Sequence, residues 1–546
     1  MWHLFSSAVI VGLTWFEWGW IAYGRGFHAE TNWMIYSRAD SFLDTLLYSD
    51  PSRPFLQLPF GLAHLISPDS MAAANWVIAL YVLTMAALTY WFAYRLLGES
   101  ITGGLIAASI ALTFGADQSS ALFSMVILWQ VMIGVLVTAL ALRASMLRGL
   151  TGPRSIAIVA GAVLALWTYE ASVLPLFALV FLPLAIPARN WRRIGIALAP
   201  LIGVFVFFGA MTVSRLQTGV AYYQADKVTG APSASEAWTR ITTWLSRALQ
   251  PWTWGDPWTL GWFRTCLNAG IAILTTPVVI AALAWTVVVV LVVLGVHRGS
   301  RAGSPGMALR VAAFAVIMIG ASYFPYLAVS DGAGHWRTHM MAQPAWGLLI
   351  GALVVMALRA SLIGGVVLVA ACGAVIGFGL WANLWGQLEN AARWETVRTV
   401  MSSVTDVAPW LRPDTTVVLT GVGEPVSNLC RETSVADPFG DPAWFNSALN
   451  LYYPDAAIGG TYIRRGDLPP TGVRLAPEGV VVGPITHPWG AVIVFHLSRD
   501  GHATLVQRHQ LGISAQGYDP PTRIVPADGR GAEIRGAFEL VPWALP

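Results

Sequence analysis

Acidic side chains that follow the first apolar segment are the residues most able to carry chemistry in this sequence. Residues 23–73 form the first long loop between apolar segments, and they contain Glu30, Asp40 and Asp44. A carboxylate at the boundary between water and membrane can accept a proton from a hydroxyl nucleophile. It would meet a lipid-borne substrate from one side and a soluble acceptor from the other. The alternative is a solvated loop with ordinary charges.

Two further acids lie at the ends of apolar segments. Asp117 follows Phe114-Gly115-Ala116, and Glu170 follows Tyr169 and precedes Pro175. Both are candidate site carboxylates. The alternative for Glu170 is an acid at a helix terminus that organises the turn and pairs with an arginine. For Asp117 a structural role is equally open.

A short polar loop between two later apolar segments contains an arginine and two histidines. His335, Arg337 and His339 fall there, with Arg337 at the expected start of a helix. A guanidinium pairs with phosphate oxygens through parallel hydrogen bonds, and a helix N-terminus adds free backbone N–H donors. The loop therefore predicts a phosphate or pyrophosphate site, against the alternative of a lone interfacial arginine. The histidines could instead bind a metal ion, but one loop is a weak metal signature, so a divalent cation stays an open option.

Glu17 differs from these residues because it lies inside the first apolar segment, between Trp15 and Trp18. An ionisable group within a membrane span is a functional hypothesis by default. The alternative is that Glu17, near the outer end of the span, reaches interfacial water.

The elements that position these residues are membrane helices. The chain of 546 residues is 56% hydrophobic and 11% charged, whereas a soluble protein is about 25% charged. The small net charge of +3 and the dispersed arginines argue against a nucleic-acid partner.

A span needs about 20 apolar residues, and residues 55–66 fit a short re-entrant or interfacial helix. About eleven spans are predicted, at 4–22, 74–97, 101–115, 120–142, 155–168, 170–187, 194–213, 268–296, 309–329, 340–358 and 361–384.

The arginines predict the orientation of the spans, because short cytoplasmic loops retain positive charge. With the N-terminus inside, every cytoplasmic loop is basic, and Glu99 is the single acid among them. An odd number of spans then places the C-terminal domain outside. The loop arginines are Arg95, Arg143, Arg148, Arg154, Arg189, Arg192, Arg193, Arg298, Arg301, Arg310 and Arg359.

The last part of the chain has a different composition, richer in Pro, Gly, Asp and Arg. Residues 387–408 are typical of an amphipathic helix leaving the membrane, and several short strands are predicted beyond it. The predicted fold class is mainly α: a polytopic helical membrane domain (1–390) with a small α/β extracytoplasmic domain (391–546). The predicted strands are 417–420, 480–482, 491–496 and 503–507.

These residues, in this order, resemble the GT-C superfamily of polytopic glycosyltransferases that use polyprenyl-phosphate sugars. The likeness covers roughly residues 1–390. In many members an acidic pair and an aromatic residue follow the first helix, and Arg-Pro precedes a short apolar helix. Here Glu30-Thr31-Asn32-Trp33 and Arg53-Pro54 match that pattern. Later family features match Asp117, Glu170 with Pro175, and Arg337.

The resemblance implies transfer of a sugar from a polyprenyl-phosphate donor to a glycan or lipid acceptor, outside a bacterial cytoplasmic membrane. Glu30 would deprotonate the acceptor, with Asp117 as a second catalytic carboxylate, and one displacement would invert the anomeric carbon. Arg337 would bind the leaving phosphate. Relatives usually have adjacent aspartates where Glu30 and Asn32 stand, so Asp40 or Asp44 is the alternative base. The implied phosphate site also includes Arg53, His335 and His339, and the supporting residues are Asp40, Asp44, Tyr169 and Glu170.

Three other functions fit parts of the pattern. A transporter or flippase of lipid-linked substrates would place polar groups near mid-membrane and break helices in corresponding halves of the chain. A ligase or polymerase of lipid-linked glycans would need an arginine-rich outer site and a large outside loop. A non-enzymatic assembly factor would not need so many helices.

Overall fold

The computed structural model shows a helical bundle followed by a region of small sheets. Its described residues are 2–19, 43, 53–67, 71–116, 126–187, 190–217, 232–254, 277–299, 304–328, 339–422, 442–453, 458–464, 472–498 and 502–526.

The bundle is made of apolar helices whose bounds follow the hydrophobic runs of the sequence. Each of the predicted spans contains a described helix, and the predicted short helix at 55–66 is α2. The helices are α1 Trp2–Thr14, α2 Leu58–Ile66, α3 Met71–Leu96, α4 Ile101–Thr113, α5 Val126–Arg148, α6 Gly152–Thr168, α7 Val173–Ala178, α8 Trp191–Gln217, α9 Ala234–Leu249, α10 Pro277–Gly299, α11 Pro305–Tyr323, α12 Gln343–Ala360, α13 Leu362–Val407 and α14 Pro442–Tyr452.

Six of the described helices are long and apolar enough to cross a membrane, judged by length and composition: Ala73–Leu96, Val126–Arg148, Trp191–Arg215, Pro305–Leu327, Met340–Ala360 and Leu362–Leu384. Shorter apolar helices cover Ile101–Thr113, Gly152–Thr168, Glu170–Leu184 and Ala281–Gly295. The chain is therefore a multi-pass membrane protein.

Two of the differences between predicted and observed helix bounds have a clear physical cause. The span predicted at 120–142 is α5, which begins at Val126 and continues to Arg148. A hydropathy window stops before arginines, but a long basic side chain at a helix end can extend its charge to water while the helix continues. The amphipathic helix predicted at 387–408 is also not a separate element. It is the continuation of the last span, since α13 runs unbroken for 46 residues.

Close helix contacts hold the bundle together where side chains are small. A β-carbon on Gly379 of α13 would overlap the carbonyl oxygen of Thr113 at the end of α4. On α12, a β-carbon on Gly347 would overlap the carbonyl oxygen of Ala107. Small residues at such crossings let helix backbones pack directly in a membrane. Helix α4 is therefore held between α12, which contacts its middle, and α13, which contacts its end.

The C-terminal region is a mixed α/β fold, as predicted. Its four-stranded sheet has the order β3-β2-β7-β8, with β2 parallel to β3 and β7, and β8 antiparallel to β7. A three-stranded antiparallel sheet, β4-β5-β6, and the antiparallel pair β1-β9 complete it. The strands are β1 Trp410–Leu411, β2 Thr416–Val422, β3 Gly459–Arg464, β4 Val473–Ala476, β5 Gly479–Val482, β6 Ile485–Pro488, β7 Val492–Leu497, β8 Ala503–Leu505 and β9 Ile524–Val525.

The end of α13 packs directly against this region. The Ala503 backbone N–H donates to Ser403 Oγ over 2.8 Å, and Tyr453 OH donates to the Ala408 carbonyl over 2.7 Å. Helix α13 thus belongs to the membrane bundle over its first part and packs against the C-terminal region at its end. The domain boundary predicted at residue 390 falls inside this helix.

Candidate active site

A connected set of buried polar side chains lies at one end of the helical bundle. We call this set the polar layer; all of its members are buried except Glu170, whose side chain is 33% exposed. Its members come from the end of the first helix, from residues that precede α2, and from the ends or beginnings of α5, α6, α12 and the membrane part of α13. They are Glu17, Arg53, Gln130, Thr168, Glu170, His339, Gln343 and Asn383.

Arg53 and Glu170 form a two-point ion pair within the layer. Arg53 Nε donates to Glu170 Oε2 over 2.8 Å, and Nη2 pairs with the other carboxylate oxygen. The guanidinium also lies over the Tyr169 ring, 5.1 Å from its centroid. Helix α6 ends at Thr168, and Tyr169 is extended, so Glu170 turns toward Arg53. This is the arrangement expected of an acid that organises a turn, and the phosphate-binding role of Arg53 stays a prediction.

Gln130 connects the Arg53-Pro54 segment to three helices. Its Nε2 donates to the Phe55 carbonyl over 2.7 Å and to Thr168 Oγ1 over 2.6 Å, while Oε1 accepts from Tyr81 OH over 2.9 Å. Sequence reasoning did not identify Gln130. The available signal was a single amide in an otherwise apolar stretch near the start of α5.

Glu17 is buried, and it does not reach interfacial water. The helix changes to a π-helical turn over Trp15–Gly19, which contains Glu17. Glu17 is 0% exposed, and Asn383 Nδ2 donates to its Oε1. The neighbouring Trp18 packs edge-on against Trp129, with ring centroids 5.1 Å apart. The interpretation of Glu17 as an interfacial, water-exposed acid is therefore wrong, because the π turn directs its side chain at α13.

Gln343 holds the end of α4, where the chain leads to Asp117. Its Oε1 accepts from Trp129 Nε1 over 3.3 Å, and its Nε2 donates to the Phe114 carbonyl over 3.2 Å. The Phe114 ring in turn packs on Trp254, with centroids 4.8 Å apart. Gln343 of α12, supported by Trp129 of α5, and the Trp254 ring thus fix the backbone two residues before Ala116.

His339 lies inside the bundle, at the beginning of the short helix Met340–Ala342 that precedes α12. It is 0% exposed, and its Nδ1 is 2.8 Å from Tyr323 OH. The same hydroxyl accepts a hydrogen bond from Trp346 Nε1 over 3.0 Å. The imidazole is thus enclosed by α11 and α12. Its predicted contact with a donor phosphate stays a prediction.

The other predicted site residues lie outside the described residues: Glu30, Asp40, Asp44, Asp117, His335 and Arg337. Within the part of the chain that the structure describes, no group of three or more His, Cys, Asp or Glu side chains could hold a metal ion.

The opposite ends of the same helices have a different chemistry. Arg143 Nη2 donates to the Arg95 carbonyl over 2.8 Å, which places the ends of α3 and α5 together. Arg95 also pairs with Glu99 over 2.6 Å. Gln130 and Arg143 are both on α5, about 20 Å apart along a helix that rises 1.5 Å per residue. The bundle therefore has one arginine-rich end and one end with buried carboxylates and amides.

The comparison with solved structures gives distant structural likenesses. No family model matches the sequence, and no curated protein matches it. The crystal structure of ArnT from Cupriavidus metallidurans bound to undecaprenyl phosphate is similar with a TM-score of 0.37 and 16% identity, covering 84% of this chain and 89% of that chain. The structure of the same protein in the apo state gives a TM-score of 0.35 and 15% identity, covering 85% of this chain and 86% of that chain.

Proposed function

We propose that this protein is an integral-membrane glycosyltransferase. It transfers a sugar from a polyprenyl-phosphate donor to a glycan or lipid acceptor on the extracytoplasmic face, by one inverting displacement. The observation that carries the proposal is the polar layer. Residues of this layer, or residues that contact it, are close in the chain to Asp117 and Arg337 and lie on both sides of Glu30 in the sequence.

Chain connectivity supports the proposal for two of these residues. Asp117 directly follows Ala116, and Arg337 is two residues before His339. Consecutive Cα atoms are about 3.8 Å apart, and the described residues Ala116 and His339 serve as their anchors. The anchors are close to each other, because the Phe114 and His339 rings have centroids 6.4 Å apart. A carboxylate and a guanidinium are thus expected in one neighbourhood.

Glu30 is further in the sequence from the described residues, since it lies between Gly19 and Arg53. Both ends of its segment are nevertheless fixed. Glu17 is bonded to Asn383 just before one end, and Arg53 is bonded to Glu170 at the other. This favours a segment that returns to the polar layer.

The residues have complementary roles in the proposed reaction. Glu30, or in its place Asp40 or Asp44, accepts the proton of the acceptor hydroxyl as this oxygen attacks the anomeric carbon. The bond to the lipid phosphate breaks, and Arg337 stabilises the charge that develops on the leaving phosphate. A single displacement gives a product of inverted anomeric configuration.

The membrane orientation is part of the proposal. The arginine-rich end, where Arg95 and Arg143 meet, is cytoplasmic by the positive-inside rule, as is the N-terminus. The polar layer and the C-terminal α/β region then face the extracytoplasmic side of a bacterial inner membrane. Lipid-linked donors and envelope acceptors meet on that side.

The test is transfer by the purified protein in lipid nanodiscs, with a panel of polyprenyl-phosphate sugars and glycan or lipid acceptors. We expect mass spectrometry to detect a glycosylated acceptor and released polyprenyl phosphate. Glu30→Gln should remove turnover, and Arg337→Gln should weaken binding of undecaprenyl phosphate, the lipid present in one of the ArnT structures. Arg192→Gln is the matched control, because Arg192 is an exposed arginine at the start of α8.

Two results would contradict the proposal. In one, the lipid phosphate binds at the arginine-rich end, so that Arg192→Gln and not Arg337→Gln weakens binding. In the other, the protein moves the intact lipid-linked sugar across a liposome bilayer without cleaving it, as a transporter would.

A further inference from the structure

The hydrogen bond between Glu17 and Asn383 joins the first described helix of the bundle to α13. The two residues are 366 positions apart, and Glu17 and Asn383 are 0% and 4% exposed. A buried carboxyl without a hydrogen bond costs several kcal/mol in an apolar interior. An apolar pair would hold two helices together without that cost. A polar pair adds specificity, because a hydrogen bond has a defined geometry and therefore fixes the register of the two helices that it joins.

The same pair touches the backbone that leads to Asp117. A β-carbon on Gly115 would lie 3.0 Å from Ala382 Cβ and 3.4 Å from Asn383 Oδ1. The end of α4 therefore rests directly on the residue that bonds Glu17. Asp117 is two residues further along the chain.

The pair also stands at the start of the segment that contains Glu30. Glu17 lies in the π-helical turn Trp15–Gly19, where the chain leaves the first helix. A π turn inserts a residue into the helical repeat and is frequent at functional sites. Here it directs a carboxyl at α13.

We infer that Glu17 and Asn383 are a positioning pair for the proposed glycosyl transfer. Their hydrogen bond sets the positions of the π-helical turn Trp15–Gly19 and of Gly115, the described residues that precede Glu30 and Asp117 in the chain, and neither side chain exchanges a proton with substrate. The inference rests on the proposed function, because it assigns the pair to that site.

Four variants separate positioning from chemistry. Asn383→Leu removes the donor, and Asn383→Asp replaces it with a second carboxyl. Glu17→Gln keeps an acceptor oxygen facing Asn383. In the double variant Glu17→Gln/Asn383→Asp the amide and the carboxyl exchange places, so the bond is restored with reversed direction.

For a positioning pair we expect Asn383→Leu and Asn383→Asp to lower kcat on the order of 10²-fold, the loss typical of a misplacement of about 1 Å, with little change in the KM for the donor. Glu17→Gln should retain most of the turnover, and the double variant should recover it relative to Asn383→Asp. The matched control is Tyr90→Phe. It breaks the 2.7 Å bond between Tyr90 OH and His3 Nδ1 near the opposite end and should leave kcat unchanged.

Hydrogen exchange provides a readout that does not depend on activity. Residues 20–42 and 117–125 should exchange faster in both Asn383 single variants, and at the wild-type rate in the double variant. If wild-type protein neither binds polyprenyl phosphate nor transfers sugar, the proposed function is refuted, and exchange alone then decides whether the pair positions these segments.

Three outcomes would overturn the inference. Loss of turnover in a folded Glu17→Gln variant with wild-type exchange would make Glu17 itself a reacting group. A wild-type kcat and wild-type exchange in Asn383→Leu would leave the bond without a role. Failure of the double variant to recover relative to Asn383→Asp would show that the bond is not what matters.

Discussion

Arg53 and Glu170 are 117 residues apart in the sequence and form an ion pair through two nitrogens and both carboxylate oxygens. The Arg53 side chain is 7% exposed and that of Glu170 is 33% exposed. A guanidinium is a rigid fork that matches a carboxylate. The pair therefore fixes both the position and the orientation of the Arg53-Pro54 segment against the end of α6.

Replacement of Glu170 by glutamine should destabilise the protein, because the buried Arg53 cation would lose the carboxylate that it contacts through two nitrogens. Removal of one partner of a buried pair costs on the order of 3 kcal/mol. The measurement is unfolding in detergent monitored by circular dichroism. Glu99→Gln is the control, since it breaks the more exposed pair with Arg95 and should cost less than about 1 kcal/mol. Equal losses in the two variants would show that Arg53 and Glu170 are not coupled as described.

Replacement of Gln130 by leucine should loosen the Arg53-Pro54 segment. The variant leaves the Phe55 carbonyl without its amide donor, and a buried unsatisfied group costs about 1–3 kcal/mol. Hydrogen exchange of residues 53–57 should become faster. Tyr81→Phe removes only the bond to Oε1, so it should increase exchange less than Gln130→Leu does. The reverse order would mean that Tyr81, and not the amide, holds the segment.

The helices were largely predictable because a membrane span is specified by local composition. The short helix α2 and the strands β2, β5, β7 and β8 were also recognisable from local patterns. The partners of the polar residues were not predictable. Glu17 bonds Asn383 across 366 positions, and Gln130 bonds Phe55 across 75. Such contacts depend on how helices pack. The hydropathy of α5 and α13, which carry Gln130 and Asn383, is nearly the same on every side, so these helices have no hydrophobic period that would reveal the partners.

The role of individual charges was predictable only as a set of alternatives. For Glu170 the sequence allowed either a site carboxylate or a turn acid that pairs with an arginine. Only the packing of the Arg53-Pro54 segment against α6 shows which arginine that is. For His339 the sequence indicated a polar loop, whereas the side chain is buried beside Tyr323. In both cases the sequence indicated a polar residue of interest, and tertiary contacts determine which residues surround it.

The C-terminal region should lose stability at alkaline pH through Tyr518. Burial raises the pKa of this phenol from 10.0 to about 12. Because the folded pKa lies above the unfolded one, the stabilising contribution is complete below pH 10 and is lost as the pH rises toward 12. Near-UV circular dichroism of the full chain should show a transition in this range. Tyr518→Phe should be less stable at pH 8, since it loses the hydrogen bonds with Val494 N and Val506 O, but should lose less between pH 10 and 12. An identical alkaline transition in the variant would exclude Tyr518 as its cause.

His339 and Tyr323 should behave as one unit in a double-mutant cycle. Tyr323→Phe and His339→Gln each break the 2.8 Å bond between them, so the double variant should lose less stability than the sum of the two. Coupling of residues in direct contact is typically about 0.5–3 kcal/mol. Ser322→Ala is the control, because Ser322 Oγ donates to the Met318 and Met341 carbonyls and to neither ring, and its effect should add to that of His339→Gln.

The same cycle applied to undecaprenyl phosphate affinity tests the predicted phosphate role. A His339 that contacts the phosphate directly would lower affinity in His339→Gln far more than in Tyr323→Phe, whereas equal and non-additive losses would mean that the bond positions the start of α12 and, through it, Arg337.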